Sequence, residues 1–181
     1  RLFRALSLKE FHKIYKILNV KFEYYHGESF YNDNVSFVLK LLKNKNIIAE
    51  SEGALIVDLS KYNMPPLLLK KSDGTTLYAT RDLAAALYRK NKYNFVKMIY
   101  EVGSEQKLHF QQLFKTLELV GFRWAKNCVH VDHGLYLGND GRKFSTREGN
   151  VVFMDDILNE GIRKAGNIIE DIKLSEGIVK K

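Results

Sequence analysis

Apolar segments with strand-like pattern alternate with helical segments along most of this 181-residue chain. Six segments carry a strand-like pattern: residues 20–25, 54–59, 67–69, 75–78, 97–102 and 128–137. Strands that alternate with helices are typical of an α/β fold with a largely parallel sheet. In such sheets, ligands bind where strands end and the following helices begin. The residues at those junctions are therefore the first candidates for function.

Four polar residues are predicted to cap helices at their N-termini: Ser7, Asn34, Thr80 and Ser104. Ser7 and Glu10 have the spacing of a capping box. A last helix is predicted from about Met154.

Charge and cysteine content indicate the class of partner and compartment. A net charge of +8 suits an anionic partner such as RNA or a nucleotide, although a lysine-rich surface gives the same value. The lone cysteine, Cys128, makes no internal disulfide, and a cytoplasmic location is the simplest interpretation. No apolar stretch approaches the ~20 residues of a membrane span, so no membrane segment is expected. The first residues, RLFRALSLKEFHK, lack the apolar core of a signal peptide, so no secretion signal is expected either.

The segment LYATRDLAAALYR places Tyr78 at the predicted end of a strand and Asp82 in the first turn of the next helix. A carboxylate beside an aromatic ring suits a planar cation, since the acid pairs with it and the ring packs on its face. The structural alternative is an acid that offsets the helix dipole, with Tyr78 in packing.

The segment IYEVGSEQKLHFQQ places Gly103 at a second strand end, and Gln106 and His109 on one helical face. A helix N-terminus favours anionic ligands such as phosphate. An ordinary capped helix is the alternative, and nothing resembling a GxGxxG fingerprint is present.

Two further groups are weaker. A glycine-flanked loop carries Lys143, Ser145, Thr146 and Arg147, whose cationic and hydroxyl donors suit a polyphosphate, although a solvated basic loop explains them equally. Glu28 follows a turn glycine and is a candidate second carboxylate or a plain turn acid.

A histidine cluster invites a metal interpretation. On a strand, His130 and Asp132 share a face and His133 points away, so a third ligand is lacking and no metal site is predicted.

Taken together, these segments resemble the arginyl-tRNA synthetases. Matching segments occur in the family's order from about Leu2 to Glu160: KFEYYHGESFY, ESEGALIVDL, PPLLLKKSDGTTLYATRDLAAALYR, YEVGSEQKLHFQQLFKTLELVGF and HGLYLGNDGRKFSTREGN. The most specific are KSDGTTLYATRD and KFSTREGN. The resemblance implies the second half of a Rossmann-like class I catalytic domain. It also implies a reaction that activates arginine with ATP and Mg²⁺ and esterifies the 3′ end of tRNA(Arg).

The resemblance also implies roles for residues at matching positions. Tyr78, Asp82 and Gln106 would hold arginine, with Asp82 facing its cationic end and Glu28 as a further guanidinium contact. Gly103, His109 and Lys143 would lie on the ATP side.

The loop Lys143-Phe144-Ser145-Thr146-Arg147 takes the place of the KMSKS signature, with Phe144 for its Met and Thr146 for its second Lys. As the catalytic loop of the family it would act through Lys143, Ser145, Thr146 and Arg147. Which cation meets the phosphates stays open between Lys143, Arg147 and one outside the chain.

No HxGH motif, which helps class I enzymes bind ATP, occurs in the sequence. Residues 1–153 are therefore expected to form a partial catalytic domain that includes the KMSKS-like loop. Residues 154–181 would form a helical segment that leads toward an anticodon-binding domain. The chain on its own is expected to be inactive.

Two other functions are compatible with the residues alone. One is a nucleotide- or RNA-binding α/β module without catalysis, for which a basic surface and helix N-termini suffice. The other is a related class I nucleotidyltransferase, or a synthetase for another amino acid, which gives no reason for the pair of Tyr78 and Asp82.

Overall fold

The computed structural model describes residues 2–135, 137, 141 and 153–175. The chain divides into two compact units. One is Tyr25–Leu135, and the other combines Arg1–Tyr24 with Tyr136–Lys181.

The unit Tyr25–Leu135 contains three α-helices and five strands among its described elements. In chain order these are α2 (Val35–Asn44), β1 (Ile48–Ser51), β2 (Ala54–Val57), β3 (Leu67–Lys70), α3 (Tyr78–Tyr93), β4 (Met98–Gly103), α4 (Lys107–Val120) and β5 (Cys128–His133). Short 3₁₀ helices lie at Glu28–Asn34, Ser60–Tyr62, Ser104–Gln106 and Arg123–Asn127.

Strands β4 and β5 pair in parallel, as the alternating pattern predicted. Helix α4 provides the crossover between them, which parallel strands require. The register pairs Gly103 with His133, so both residues lie at the carboxyl ends of the two strands. The α/β fold with a parallel sheet is confirmed.

Strands β1, β2 and β3 form a separate antiparallel sheet in the order β1-β2-β3. The segments of β2 and β3 were predicted as strands, but β1 was not. Glu52 and Gly53 connect β1 to β2, and both have positive φ, at 49° and 76°. Two consecutive residues with positive φ form the tight turn that the twist of a hairpin favours. Parallel pairing among the described strands is therefore limited to β4 and β5.

The core of this unit lies where α3 and α4 pack against one another and against β3, with β5 against α4. Helix α3 contributes small buried residues, Ala79 and the run Ala84 to Ala86, which let neighbouring backbones approach closely. Helix α4 contributes an apolar face, with Phe110, Leu113 and Leu117 buried. This packing places the N-terminal ends of α3 and α4 next to each other.

Three of the four predicted helix caps are wrong. Helix α3 begins at Tyr78, so Thr80 lies inside it, and its buried hydroxyl donates to the Leu69 carbonyl oxygen at 2.7 Å. Ser104 opens a 3₁₀ turn, which moves the N-cap position of α4 to Gln106. Asn34 does occupy the N-cap position of α2, although its side chain makes no capping hydrogen bond.

The other unit contains α1 (Leu2–Ile17) and α5 (Met154–Ser175). The predicted start of the last helix is confirmed. Ser7 does not cap α1, because the residues before it contain no helix breaker and the helix begins at Leu2. The predicted strand at 20–25 is also wrong, since those residues form no strand. No helix in the described part of the chain is both long and apolar enough to cross a membrane.

Candidate functional site

Tyr78 and Asp82 lie on the first two turns of α3, on the same helical face. The sequence interpretation placed Tyr78 at a strand end and Asp82 in the first helical turn. The structure differs at both: Tyr78 belongs to the helix and not to a strand, and Asp82 lies in the second turn of the helix. Thr76 pairs with Lys70 of β3 in an isolated bridge, and α3 begins two residues later, at Tyr78. The two side chains still lie at the same end of the core.

His109 joins these two residues from the first turn of α4. Its Nε2 lies 2.7 Å from Asp82 Oδ2, and its ring packs edge-on to Tyr78 with the centroids 4.8 Å apart. The His109 side chain is only 7% exposed, whereas the Asp82 side chain is 38% exposed. We call Tyr78, Asp82 and His109 the Asp82 cluster. Its carboxylate is the group that a cationic ligand can reach.

The electrostatic surroundings of Asp82 extend into the core. Burial raises the pKa of the Tyr100 phenol well above its usual value, and the negative charge of Asp82 adds to the effect. The Arg89 guanidinium lies over the Tyr100 ring, 5.7 Å from its centroid. Asp82 therefore sits between a low-dielectric interior and solvent, where an interaction with a cation is stronger than in water.

Gln106 occupies the N-cap position of α4, three residues before His109, and is exposed. The structure therefore brings Tyr78 and Asp82 together with His109 and places Gln106 at the same helix end. His109 was assigned to the ATP side in the sequence interpretation. Its hydrogen bond instead joins it to the carboxylate assigned to arginine.

Glu28 lies against a neighbouring face of α3. Its Oε1 accepts a hydrogen bond from the Arg81 guanidinium at 2.9 Å, and Asn32 Oδ1 accepts a second one from Arg81 Nε at 2.9 Å. Arg81 thus holds the 3₁₀ helix Glu28–Asn34 against α3. Sequence reasoning missed Arg81 and Asn32, although Arg81 stands directly beside Asp82 in the chain.

Gly103 and His133 meet at the carboxyl ends of β4 and β5. A Cβ added at Gly103 would lie 3.7 Å from His133 Nε2, an ordinary contact, and the φ of Gly103 is −54°. The protein itself therefore does not require a glycine there. A ligand that approaches the backbone would give one reason for it.

The histidines of β5 have protein partners. His130 Nε2 donates to the Val102 carbonyl oxygen at 2.8 Å, and His133 Nδ1 donates to Glu101 Oε1 at 2.5 Å. Within the described residues, no group of three potential ligands is arranged to hold a metal ion.

Four predicted loop residues, Lys143, Ser145, Thr146 and Arg147, lie outside the described residues.

Comparisons with known proteins match the chain to one family. The family described as tRNA synthetases class I (R), catalytic domain, matches residues 1–177. An arginine–tRNA ligase of Halothermothrix orenii is 54% identical over 93% of the chain and 30% of its own length. One from Clostridium perfringens is 55% identical over 99% of the chain and 32% of its own length.

A solved structure gives the same result for the fold. The crystal structure of the arginyl-tRNA synthetase from Plasmodium falciparum has a TM-score of 0.75 and 29% identity, over 97% of this chain and 29% of that one. The chain thus spans about a third of the length of the relatives it matches. It belongs to the class I arginyl-tRNA synthetase family and corresponds to part of that family's catalytic domain.

Proposed function

We propose that this chain forms the arginine-binding part of an arginine–tRNA ligase active site. The observation that carries the proposal is the Asp82 cluster, in which an aromatic ring and a solvent-facing carboxylate lie at one end of the core. Family membership supplies the reaction, which is ATP-dependent activation of arginine and its transfer to the 3′ end of tRNA(Arg).

In this proposal, Asp82 pairs with the guanidinium of arginine and the Tyr78 ring packs against its planar face. Gln106, at the N-cap of α4, completes the pocket. Glu28, which pairs with Arg81 next to Asp82 in the chain, would add a second acidic group. Because the guanidinium is held at this end, the arginine carboxylate is presented away from it, toward the nucleotide.

The nucleotide would lie at the carboxyl ends of β4 and β5, beside Gly103, with Lys143 and the loop residues Ser145, Thr146 and Arg147 reaching its phosphates. The arginine carboxylate attacks the α-phosphorus of ATP and pyrophosphate leaves. A hydroxyl of the 3′-terminal ribose then attacks the arginyl carbonyl and AMP leaves. Such catalysis depends on positioning and on stabilising developing charge. Mg²⁺ would arrive with the ATP phosphates, where it neutralises charge.

The first test is activity itself. A full-length protein that contains this segment should charge tRNA(Arg) with radiolabelled arginine in the presence of ATP. The 181-residue chain alone should form neither arginyl-tRNA nor arginyl-adenylate, because its sequence lacks the HxGH motif. Detection of charged tRNA with the purified chain would contradict this expectation.

The loop gives a second test. In the full-length ligase, Lys143→Ala should lower kcat by at least about tenfold and leave the KM for arginine within about twofold, because the lysine would meet charge that develops on the phosphates. Steady-state aminoacylation kinetics measure both. The opposite pattern would assign the loop to arginine recognition.

The net charge of +8 favours a second candidate function, an RNA-binding module without catalysis. Thermal melting of the full-length protein separates the two. Stabilisation by free arginine supports the ligase, whereas stabilisation by RNA alone supports the module. A cytoplasmic location is part of the ligase proposal and agrees with the single buried thiol of Cys128, whose pKa burial raises to about 11.

A further inference from the structure

His109 has an unusual combination of contacts. Its Nε2 is 2.7 Å from Asp82 Oδ2, while its Nδ1 is buried and has no hydrogen-bond partner among the described residues. The ring packs in T-shaped contacts against two other rings, Tyr78 at 4.8 Å and Phe110 at 5.2 Å between centroids. The imidazole therefore has one defined polar contact, which is to the carboxylate.

These contacts determine where the proton lies. A carboxylate oxygen only accepts, so Nε2 carries the hydrogen of the 2.7 Å bond. A second proton on Nδ1 would place a charged N–H donor in a buried position with no acceptor among the described residues. That arrangement costs more than an unpaired lone pair on a neutral ring. The geometry favours a neutral imidazole with its proton on Nε2.

A neutral partner affects Asp82 differently from a cation. A hydrogen bond from a neutral imidazole fixes the orientation of the carboxylate but leaves its negative charge uncompensated. It also occupies only one of the roughly four acceptor positions of the two oxygens. A lysine, an arginine or an imidazolium at the same place would cancel the charge and repel a guanidinium.

We infer that His109 is a positioning residue for arginine recognition: as a neutral donor, it fixes the Asp82 carboxylate in the orientation that receives the substrate guanidinium. The inference rests on the proposed function, and it moves His109 from the ATP side of the site to the arginine side. His109 contacts the substrate only through Asp82.

Two substitutions in the full-length ligase test this role. His109→Phe keeps an aromatic ring against Tyr78 but removes the donor. His109→Gln loses the ring but places an amide N–H close to the position of Nε2. We expect His109→Phe to raise the KM for arginine on the order of tenfold, as for the loss of a hydrogen bond to a charged group. The KM for ATP and kcat should stay within about twofold, and His109→Gln should recover most of the loss.

A double-mutant cycle separates positioning from packing. In an Asp82→Asn background, His109→Phe should change the KM for arginine by less than about twofold, since the carboxylate that it positions is gone. Equal effects of His109→Phe in both backgrounds would overturn the inference. So would an increase in the KM for ATP that matches the one for arginine, or a His109→Gln variant as impaired as His109→Phe.

A measurement on the unmodified ligase does not depend on how the variants fold. The ¹⁵N chemical shifts of His109 in protein labelled at histidine distinguish a neutral ring protonated on Nε2 from an imidazolium. The neutral form is expected, and an imidazolium or a proton on Nδ1 alone at neutral pH would overturn the inference.

The outcomes also separate this inference from the proposed function. If the full-length protein charges tRNA(Arg) and Asp82→Asn impairs arginine use while His109→Phe does not, only the role of His109 is lost. If the full-length protein shows no arginine-dependent activity, the proposed function itself is lost.

Discussion

Two acidic side chains, Asp82 on α3 and Glu28 on the neighbouring 3₁₀ helix, differ in the charge of their partners. Asp82 accepts from the buried ring of His109 at 2.7 Å, and Glu28 accepts from the Arg81 guanidinium at 2.9 Å. The distances are similar, but Arg81 is always charged and compensates Glu28, whereas the neutral imidazole that we infer for His109 would leave the charge of Asp82 available. Glu28 is also more exposed, at 59% against 38%, so water screens it further. Availability to a cationic substrate thus depends on the partner's charge more than on the separation.

The largest effect expected from this difference is at Asp82. In the full-length ligase, Asp82→Asn should raise the KM for arginine about a hundredfold, or ~2.7 kcal/mol, because a charged hydrogen-bonded contact to the guanidinium is lost. Aminoacylation kinetics at saturating ATP and tRNA measure it. An unchanged KM would mean that Asp82 does not bind arginine. Asp82 would then be no more available to the substrate than Glu28.

An intermediate effect is expected at Tyr78, which belongs to the Asp82 cluster and not to the contact between Glu28 and Arg81. Tyr78→Ala should raise the KM for arginine about tenfold through loss of the ring face, and Tyr78→Phe should stay within about twofold. The same assay compares the two variants. If Phe were as impaired as Ala, the hydroxyl and not the ring would be the part of Tyr78 that matters.

The smallest effect is expected at Glu28. Glu28→Gln should raise the KM for arginine by no more than about fivefold, because its charge is already paired with Arg81 and screened. Glu10→Gln is a matched control, since Glu10 is another exposed acid in an ion pair, with Lys13 on α1, and should leave the KM unchanged. A Glu28→Gln effect as large as that of Asp82→Asn would mean that Glu28 exchanges Arg81 for the substrate.

Elements with a strong local pattern could be predicted from the sequence. The apolar run of β4, the buried face of α4 and the parallel partner β5 follow from periodicity and order along the chain. The starting residue of α3 did not follow, because Thr75 to Tyr78 has strand-like residues and only the contacts with β3 decide where the chain turns. Strand β1 was missed because three of its four residues, including Glu50, are exposed and it lacks a buried run.

The members of the site were easier to predict than their partners. Tyr78, Asp82 and His109 were all singled out, because their residue types and positions at element ends carry information. The contact between Asp82 and His109 joins residues 27 apart in sequence, and that between Glu28 and Arg81 joins residues 53 apart. Such pairings depend on how the helices pack, which no local pattern records. The resemblance assigned His109 to the ATP side, and its contact with Asp82 could not be predicted from the sequence for the same reason.

The hydrogen bond from Thr80 to the Leu69 carbonyl ties the first turn of α3 to the last part of β3. The position of β3 in the antiparallel sheet therefore helps to set the position of α3, although none of the sheet's side chains belongs to the Asp82 cluster. Extra residues in the exposed turn around Asp73 and Gly74 would be absorbed as a longer loop, since both ends of that loop stay anchored. One residue lost from β3 would shift its register and draw α3, with Tyr78 and Asp82, out of line with α4. Among related proteins, we therefore expect differences in chain length at that turn and a constant length of β3.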